Sequence, residues 1–369
     1  MDQQGQNGLL STFREGWRAR RLSAWLIAIV LTGFYLWLYF EDREWFPVAL
    51  KQMDPFAASL GLENRWYLYG LLYCVAMTGG AVYYLRRHGN SRYNRIRIGV
   101  NLFVQIVLAF TLPFVMFIFA NKDFYLSYLW PLKIDYLYPD TLAKFPVYVA
   151  IYSILASLVA MPILALRVGK RWYCSWVCGC GGLANTFGDP WRHLTSTSTR
   201  SWKLEKGTVH TVMVVAVVLT VLVAVDLFAG DSMPRYHSVV GELRSLYGLI
   251  VGSILAGVIG VGLYPLLGPR VWCRNFCPMA AMLGLIQKAG RFRIKVKPDM
   301  CISCGNCTTY CEMGIDVRSY AQTNQSFTRA ACVGCGACAH VCPRGVLKLE
   351  NHSETRKDKK RTALPILDA

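Results

Sequence analysis

Apolar residues in this chain gather in stretches too long and unbroken for the alternation of a half-buried strand or the stripe of a surface helix. Six of them are long enough to cross a hydrocarbon core of about 30 Å as helices. They are Leu22–Phe40, Trp66–Leu85, Ile98–Ala120, Pro146–Leu166, Thr208–Phe228 and Tyr247–Leu267. Trp25, Trp37, Trp66, Tyr83, Tyr84 and Tyr264 sit near their ends, where an amphipathic ring meets lipid headgroups. Beyond the sixth stretch the pattern changes to short, polar, cysteine-rich sequence. The expected architecture is membrane all-α, about six transmembrane helices over 22–298, with a basic N-terminus over 1–21. A small α+β module over 299–350 and a basic tail over 351–369 complete it.

Composition agrees with this pattern. Hydrophobic residues make up 54% of the chain and charged ones 17%, against about a quarter charged in soluble domains. That excludes an ordinary soluble enzyme, and the abundance of aromatics excludes disorder. The net charge of +18 is unevenly placed. Of 40 Lys+Arg, 32 fall in the N-terminus, the second and fourth loops and the C-terminal region, and 8 in the other loops. The positive-inside rule then puts both termini and the C-terminal module in the cytoplasm, in a multi-pass inner (cytoplasmic) membrane protein. The basic residues form no compact domain, so a nucleic-acid partner is excluded. No cleavable signal peptide is evident, and Arg20-Arg21 reads as the anchor before the first span. No Walker loop, Rossmann fingerprint or catalytic triad is visible.

Eight of the 14 cysteines form two runs, Cys301-x2-Cys304-x2-Cys307-x3-Cys311 and Cys332-x2-Cys335-x2-Cys338-x3-Cys342-Pro343. In a two-cluster arrangement three thiolates of a run wrap one cubane and the fourth crosses to the other. One [4Fe–4S] cluster is therefore expected on Cys301, Cys304, Cys307 and Cys342, and a second on Cys332, Cys335, Cys338 and Cys311. Gly305, Gly334 and Gly336 let backbone N–H groups approach the sulfides. Structural zinc, the alternative, uses separated C-x2-C pairs instead. Residues 299–350 resemble the bacterial two-cluster ferredoxin, departing from it at Glu312, where that family usually has proline.

Five more cysteines lie at the membrane edge. Arg171-Trp172-Tyr173-Cys174-x3-Cys178-Gly179-Cys180 follows the fourth span, and Arg270-Val271-Trp272-Cys273-x3-Cys277-Pro278 follows the sixth. Each has arginine three residues before its first cysteine and an aromatic just before it. We read them as an internal repeat offset by 99 positions. On helical turns, the i,i+4 spacing puts both thiols of a pair on one face. Two such turns brought together offer four thiolates, enough for a third iron–sulfur centre or another metal. Copper(I) and zinc remain alternatives. Cys180 is out of phase with that face, as a spare or alternative ligand. Cys74, in the second span, reads as a small buried apolar residue.

Taken with the preceding spans, these motifs resemble the membrane polyferredoxins of the NapH/NosR/CcoG type over roughly residues 146–350. One departure is Cys178-Gly179-Cys180, where that family has Cys-Pro. The resemblance implies iron–sulfur electron transfer between a cytoplasmic-side partner and the membrane, with the quinone pool as terminus, within a respiratory or redox complex and beside other redox subunits. It equally allows a copper-handling or copper-reducing assembly factor for a metalloenzyme, or a ferredoxin-bearing membrane anchor. Either way the chain reads as an electron-transfer subunit and not as a self-contained enzyme with catalytic residues of its own.

Three features are weighed against plainer readings. The aromatic stretch Phe124–Phe145, with Pro131, Pro139 and Pro146, is expected to lie on the outer leaflet, the wall of a quinone pocket being the alternative. His210 reads as an interfacial polar residue and Asp226 as a snorkelling or capping acid. The basic run Arg356–Arg361 reads as a solvated tail, with anionic lipid or an acidic partner as the alternative.

Overall fold

The computed structural model describes residues 22–44, 46–120, 124–229 and 234–351. The basic N-terminus over 1–21 and the run Arg356–Arg361 lie outside the described residues. Among the described residues six helices are long and apolar enough to cross a membrane. In chain order the helices that matter here are α1 (Leu22–Phe40), α2 (Arg65–His88), α3 (Arg92–Phe119) and α4 (Val147–Val168). Then follow the short α5 (Gly179–Asn185), α6 (Thr199–Ala229), α7 (Arg235–Ile259) and α8 (Pro278–Lys288). Exposed Val214, Val218, Val221 and Val225 form one stripe along α6, an apolar face of the kind that lipid covers.

Local chemistry sets the helix ends. The Asn64 side chain accepts from the N–H groups of Trp66 (2.9 Å) and Tyr67 (3.3 Å) and starts α2. Arg86, Arg87 and His88 close it, where positive charge suits the carbonyl end. Ser91 caps α3. Ser198 accepts from the Ser201 N–H at 3.2 Å, which carries α6 back to Thr199, nine residues before the predicted start of that span. The sixth span differs most from its sequence reading. The helix begins at Arg235 and ends at Ile259, and 264–267 forms a separate turn leading to the second cysteine motif. Gly260 lies close beside the Trp272 side chain where the chain leaves the helix.

Two antiparallel strands, β1 (Phe292–Val296) and β2 (Leu347–Asn351), flank the eight-cysteine segment. β1 therefore lies on the membrane-domain side of the boundary expected at 299, and β2 runs to Asn351, the first residue assigned to the tail. The module is docked on the bundle by buried hydrogen bonds. Ser175 Oγ donates to the Val333 carbonyl at 2.7 Å. Gln287 Nε2 donates to the carbonyls of Arg329 (2.8 Å) and Cys332 (2.9 Å), while its Oε1 accepts from the Lys170 N–H (3.0 Å). One continuous apolar core joins both cysteine motifs to the module.

Candidate iron–sulfur relay and membrane cavity

The two membrane-edge motifs fold alike, position for position. Gly169 and Gly268 each take a left-handed φ, +75° and +89°, and break the preceding helix. Their N–H groups donate to Ala165 O and Tyr264 O. The Cys178 N–H donates to Tyr173 O at 2.8 Å, and the Cys277 N–H to Trp272 O at 3.0 Å. Cys178 and Cys277 are then extended residues capping α5 and α8. The shared hydrogen bonds keep the 99-residue offset throughout, so the sequence repeat is a structural one. Cys174, Cys178, Cys273 and Cys277 are all buried, and each lies within electrostatic reach of the other three. The Cys180 thiol hydrogen-bonds Cys178 and holds it down to about 7 against the effect of burial, whereas burial pushes Cys174 up to about 12.

The C-terminal module has a repeat of its own. Cys301, Cys304, Cys307 and Cys342 line one hollow, and Cys311, Cys332, Cys335 and Cys338 line another. Gly305 and Gly336 both have φ +81° and start equivalent helical turns. Ser303 (φ +58°) occupies the left-handed place that Gly334 (φ +59°) takes in the second run. Glycine is needed there because a Cβ would stand 2.7 Å from Arg171 Cβ of the first membrane-edge motif. The Val346 N–H donates to Cys342 Sγ at 3.4 Å. Gly334, Ala337 and Met313 turn N–H groups toward Cys332, Cys335 and Cys311 respectively. Burial pushes Cys311 up to about 12 and Cys335 up to about 11. Among the described residues no group of three or more His, Cys, Asp or Glu is gathered for a single metal ion.

Beside the second hollow lies a buried layer of charge, from which Lys170 and Arg270 reach the membrane-edge thiols. Arg97, Lys170, Arg192 and Arg270 are buried in it, with Asp189 and Glu312 as buried carboxylates. Lys170 is 1% exposed and lies within electrostatic reach of Cys174 and Cys332. Arg97 Nε and Nη1 and Arg270 Nε have no hydrogen-bond acceptor. Buried cations in excess of carboxylates, with donors unspent, demand further negative charge. Thiolate-bound clusters supply that charge, so the donor set fits them.

On the other side of the motifs a cavity of about 640 Å³ opens within the helix bundle. Cys180 and Pro278, neighbours of the two motifs, form one end of its wall. Tyr35, Tyr69, Tyr73, Gln105, Phe110, Tyr247 and Trp272 line the rest, with Tyr125, Tyr128 and Lys133. The last three belong to the Phe124–Phe145 stretch expected on the leaflet surface, so part of that stretch folds in to become cavity wall. Tyr73 Oη donates to Gly179 O at 3.0 Å, and Gln105 Nε2 donates to Val177 O. Asn101 Nδ2 donates to Trp176 O at 3.0 Å. Asn94, Arg97, Asn101 and Gln105 thus form a buried polar stripe on α3. Sequence reasoning passed over that stripe, although polar residues at i, i+3, i+7 and i+11 at the start of an apolar span were its visible signal.

Cys74 is buried in α2. His210 lines a separate polar cleft with Lys170, Trp202 and Cys273. Asp226 Oδ2 accepts from His237 Nδ1 at 2.8 Å, a surface pair.

Residues 300–347 match the 4Fe-4S dicluster domain family, and 150–195 and 250–297 each match a 4Fe-4S binding domain family. The second family falls on both copies of the membrane-edge repeat. Six spans and ferredoxin-type cluster segments fit a membrane polyferredoxin, an iron–sulfur electron-transport protein binding 4Fe–4S clusters. Among curated proteins the chain is 26% identical over 172 residues to "Putative electron transport protein YccM" of Escherichia coli (strain K12), covering 45% of this chain and 47% of the relative. It is 30% identical over 150 residues to "Methylamine utilization ferredoxin-type protein MauN" of Paracoccus denitrificans, 40% of this chain and 50% of the relative. The Methylorubrum extorquens protein of the same name is 29% identical over 150 residues, 40% and 49%. The chain thus spans about half the length of these relatives. No solved structure matches.

Proposed function

We propose that this protein relays electrons between a redox partner at its C-terminal module and a quinone in the membrane. Two clusters are held by the cysteine sets of the two hollows, and a third centre by Cys174, Cys178, Cys273 and Cys277. The observation that carries this reading is the unbroken succession of sites. Cys307 of the first hollow is within electrostatic reach of Cys338 of the second. Lys170 bridges the second hollow and the membrane-edge thiols, and Cys180 leads from those thiols to the cavity. When bound, the clusters supply one-electron transfer. Lys170, Arg270 and Arg97 stabilise their negative charge, and the N–H groups aimed at the cysteines tune them.

The cavity suits a flat ring with an isoprenoid chain, since aromatic side chains dominate its wall and only a few polar groups converge at the cysteine end. There the second Nε2 proton of Gln105 can hold a quinone oxygen, with Tyr73 Oη 3.2 Å from Gln105 Oε1 fixing the amide, and reduction to quinol takes up two electrons and two protons. By the charge distribution of the loops, the module and both termini face the cytoplasm of an inner-membrane protein. Copper handling is the competing role for the membrane-edge thiols.

The test is anaerobic: protein in lipid nanodiscs is reduced chemically, and oxidation by a short-chain quinone is followed by the visible absorbance of the clusters. Oxidation within seconds, slowed at least tenfold by Q105L and by Y73F, is expected. Oxidation at the same rate when both side chains are changed would overturn the quinone assignment.

A further inference from the structure

Glu312 follows Cys311 directly, and no part of its side chain is exposed. Its Oε1 accepts from Arg270 Nη2 at 2.8 Å. Nη1 of the same guanidinium reaches Cys273 Sγ at 3.6 Å and Cys174 O at 3.5 Å. One side chain therefore touches both membrane-edge motifs and a carboxylate one residue from a cysteine of the second hollow. Arg192 stands 3.7 Å from the other oxygen of Glu312 and is itself paired with Asp189 at 3.1 Å. Arg270 and Arg192 thus flank the two oxygens of a fully buried carboxylate.

A buried ion pair of this kind is no requirement for stability, because apolar residues of similar volume often serve as well. In low dielectric, however, its charges act strongly on anything nearby that changes charge. Each cluster gains one negative charge when it gains an electron. Arg270 favours the electron-rich form and Glu312 opposes it, and both lie between the two sites.

We propose that Glu312 and Arg270 form a positioning pair that links the cluster beside Cys311 to the membrane-edge centre and sets how an electron divides between them. The inference rests on the reading of the membrane-edge thiols as a cluster site. The electron lost by one centre is the one gained by the other, and the pair itself is neither oxidised nor reduced.

The test uses full-length protein in nanodiscs, with iron content and midpoint potentials from redox titration followed by electron paramagnetic resonance. E312Q keeps the size of the side chain and removes its charge. It is expected to retain the clusters and to shift both potentials positive, that of the adjacent Cys311 cluster further, so that the electron divides toward it. R270Q is expected to shift both negative, the membrane-edge centre that Arg270 touches further, and R270K, which keeps the charge, to leave them close to the parent values. If R270Q does not load, the contrast between E312Q and R270K carries the test. Fully loaded E312Q with unchanged, lowered or equally shifted potentials would overturn the proposal. Absence of iron from the membrane-edge thiols, with E312Q still raising the Cys311 cluster, would instead refute the relay reading and with it the link between centres.

Discussion

In the C-terminal module each hollow draws three cysteines from one compact run and the fourth from the other. At the membrane edge two cysteines come from each of two turns lying 99 positions apart. The module's runs each carry their own left-handed residue and helical turn. The membrane-edge turns are held instead by whole helices, α4 and α7, and by the polar stripe of α3. A site of the first kind is set mostly by local backbone, and one of the second kind by the packing of the bundle. The two should therefore respond differently to perturbation.

The largest expected difference comes from the seam between them. Q287A removes the two hydrogen bonds that buried Gln287 makes across the seam to Arg329 and Cys332, and a third within the bundle to Lys170. At about 1 kcal/mol for each bond across the seam, with further cost for groups left unpaired, undocking should become easier by about 2 kcal/mol or more. Hydrogen exchange should then rise along 328–334 while the first hollow, around Cys304, stays as protected as before. Equal loosening of both hollows would contradict the separation of seam and module.

G169A and G268A address the equivalence of the two membrane-edge turns. A Cβ would meet the Phe292 side chain from 2.6 Å at the first position and Thr195 Oγ1 at 2.6 Å at the second. Each change also forces alanine into a left-handed φ, a cost of about 1–3 kcal/mol. Similar losses in thermal unfolding in detergent are expected. A large loss at one position and none at the other would break the repeat. A smaller effect belongs to S175A, which loses one buried bond to Val333 and about 1 kcal/mol. Limited proteolysis between α8 and β1 should quicken slightly.

Protonation gives a last, graded contrast. Burial raises Cys174 and Cys311 to about 12 and Cys335 to about 11. These thiols are protonated at neutral pH, so cluster loading must release protons and should improve as pH rises from about 7 to about 9. Reconstitution followed with a pH indicator checks the sign. Proton uptake, or loading that falls with rising pH, would contradict it.

Much of this molecule was legible from its sequence, for physical reasons that differ by region. That six helices among the described residues can span a membrane follows from apolar length alone, although the sixth starts at Arg235 and not at Tyr247. The grouping of the eight module cysteines follows from spacing within a few turns of backbone. Even the membrane-edge pair was visible, because a repeat preserves its arginine, aromatic and cysteines together. The missing parts are those made by distant pairing. β1 joins the module through Phe292↔Asn351 and Val296↔Leu347, across the whole eight-cysteine segment. Glu312 was visible only as a departure from proline; its partner Arg270 is 42 residues away. The fold of Tyr125, Tyr128 and Lys133 into the cavity wall depends on how the 124–145 segment packs over the bundle, which no local pattern records.

Iron, copper and acid-labile sulfide per chain, measured on anaerobically purified protein, decide whether the two membrane-edge turns build the proposed third centre. About twelve irons are expected, four for each cubane, falling to about eight in the C174S/C273S variant. About eight irons in the parent protein, whether alone or with stoichiometric copper, would rule that centre out.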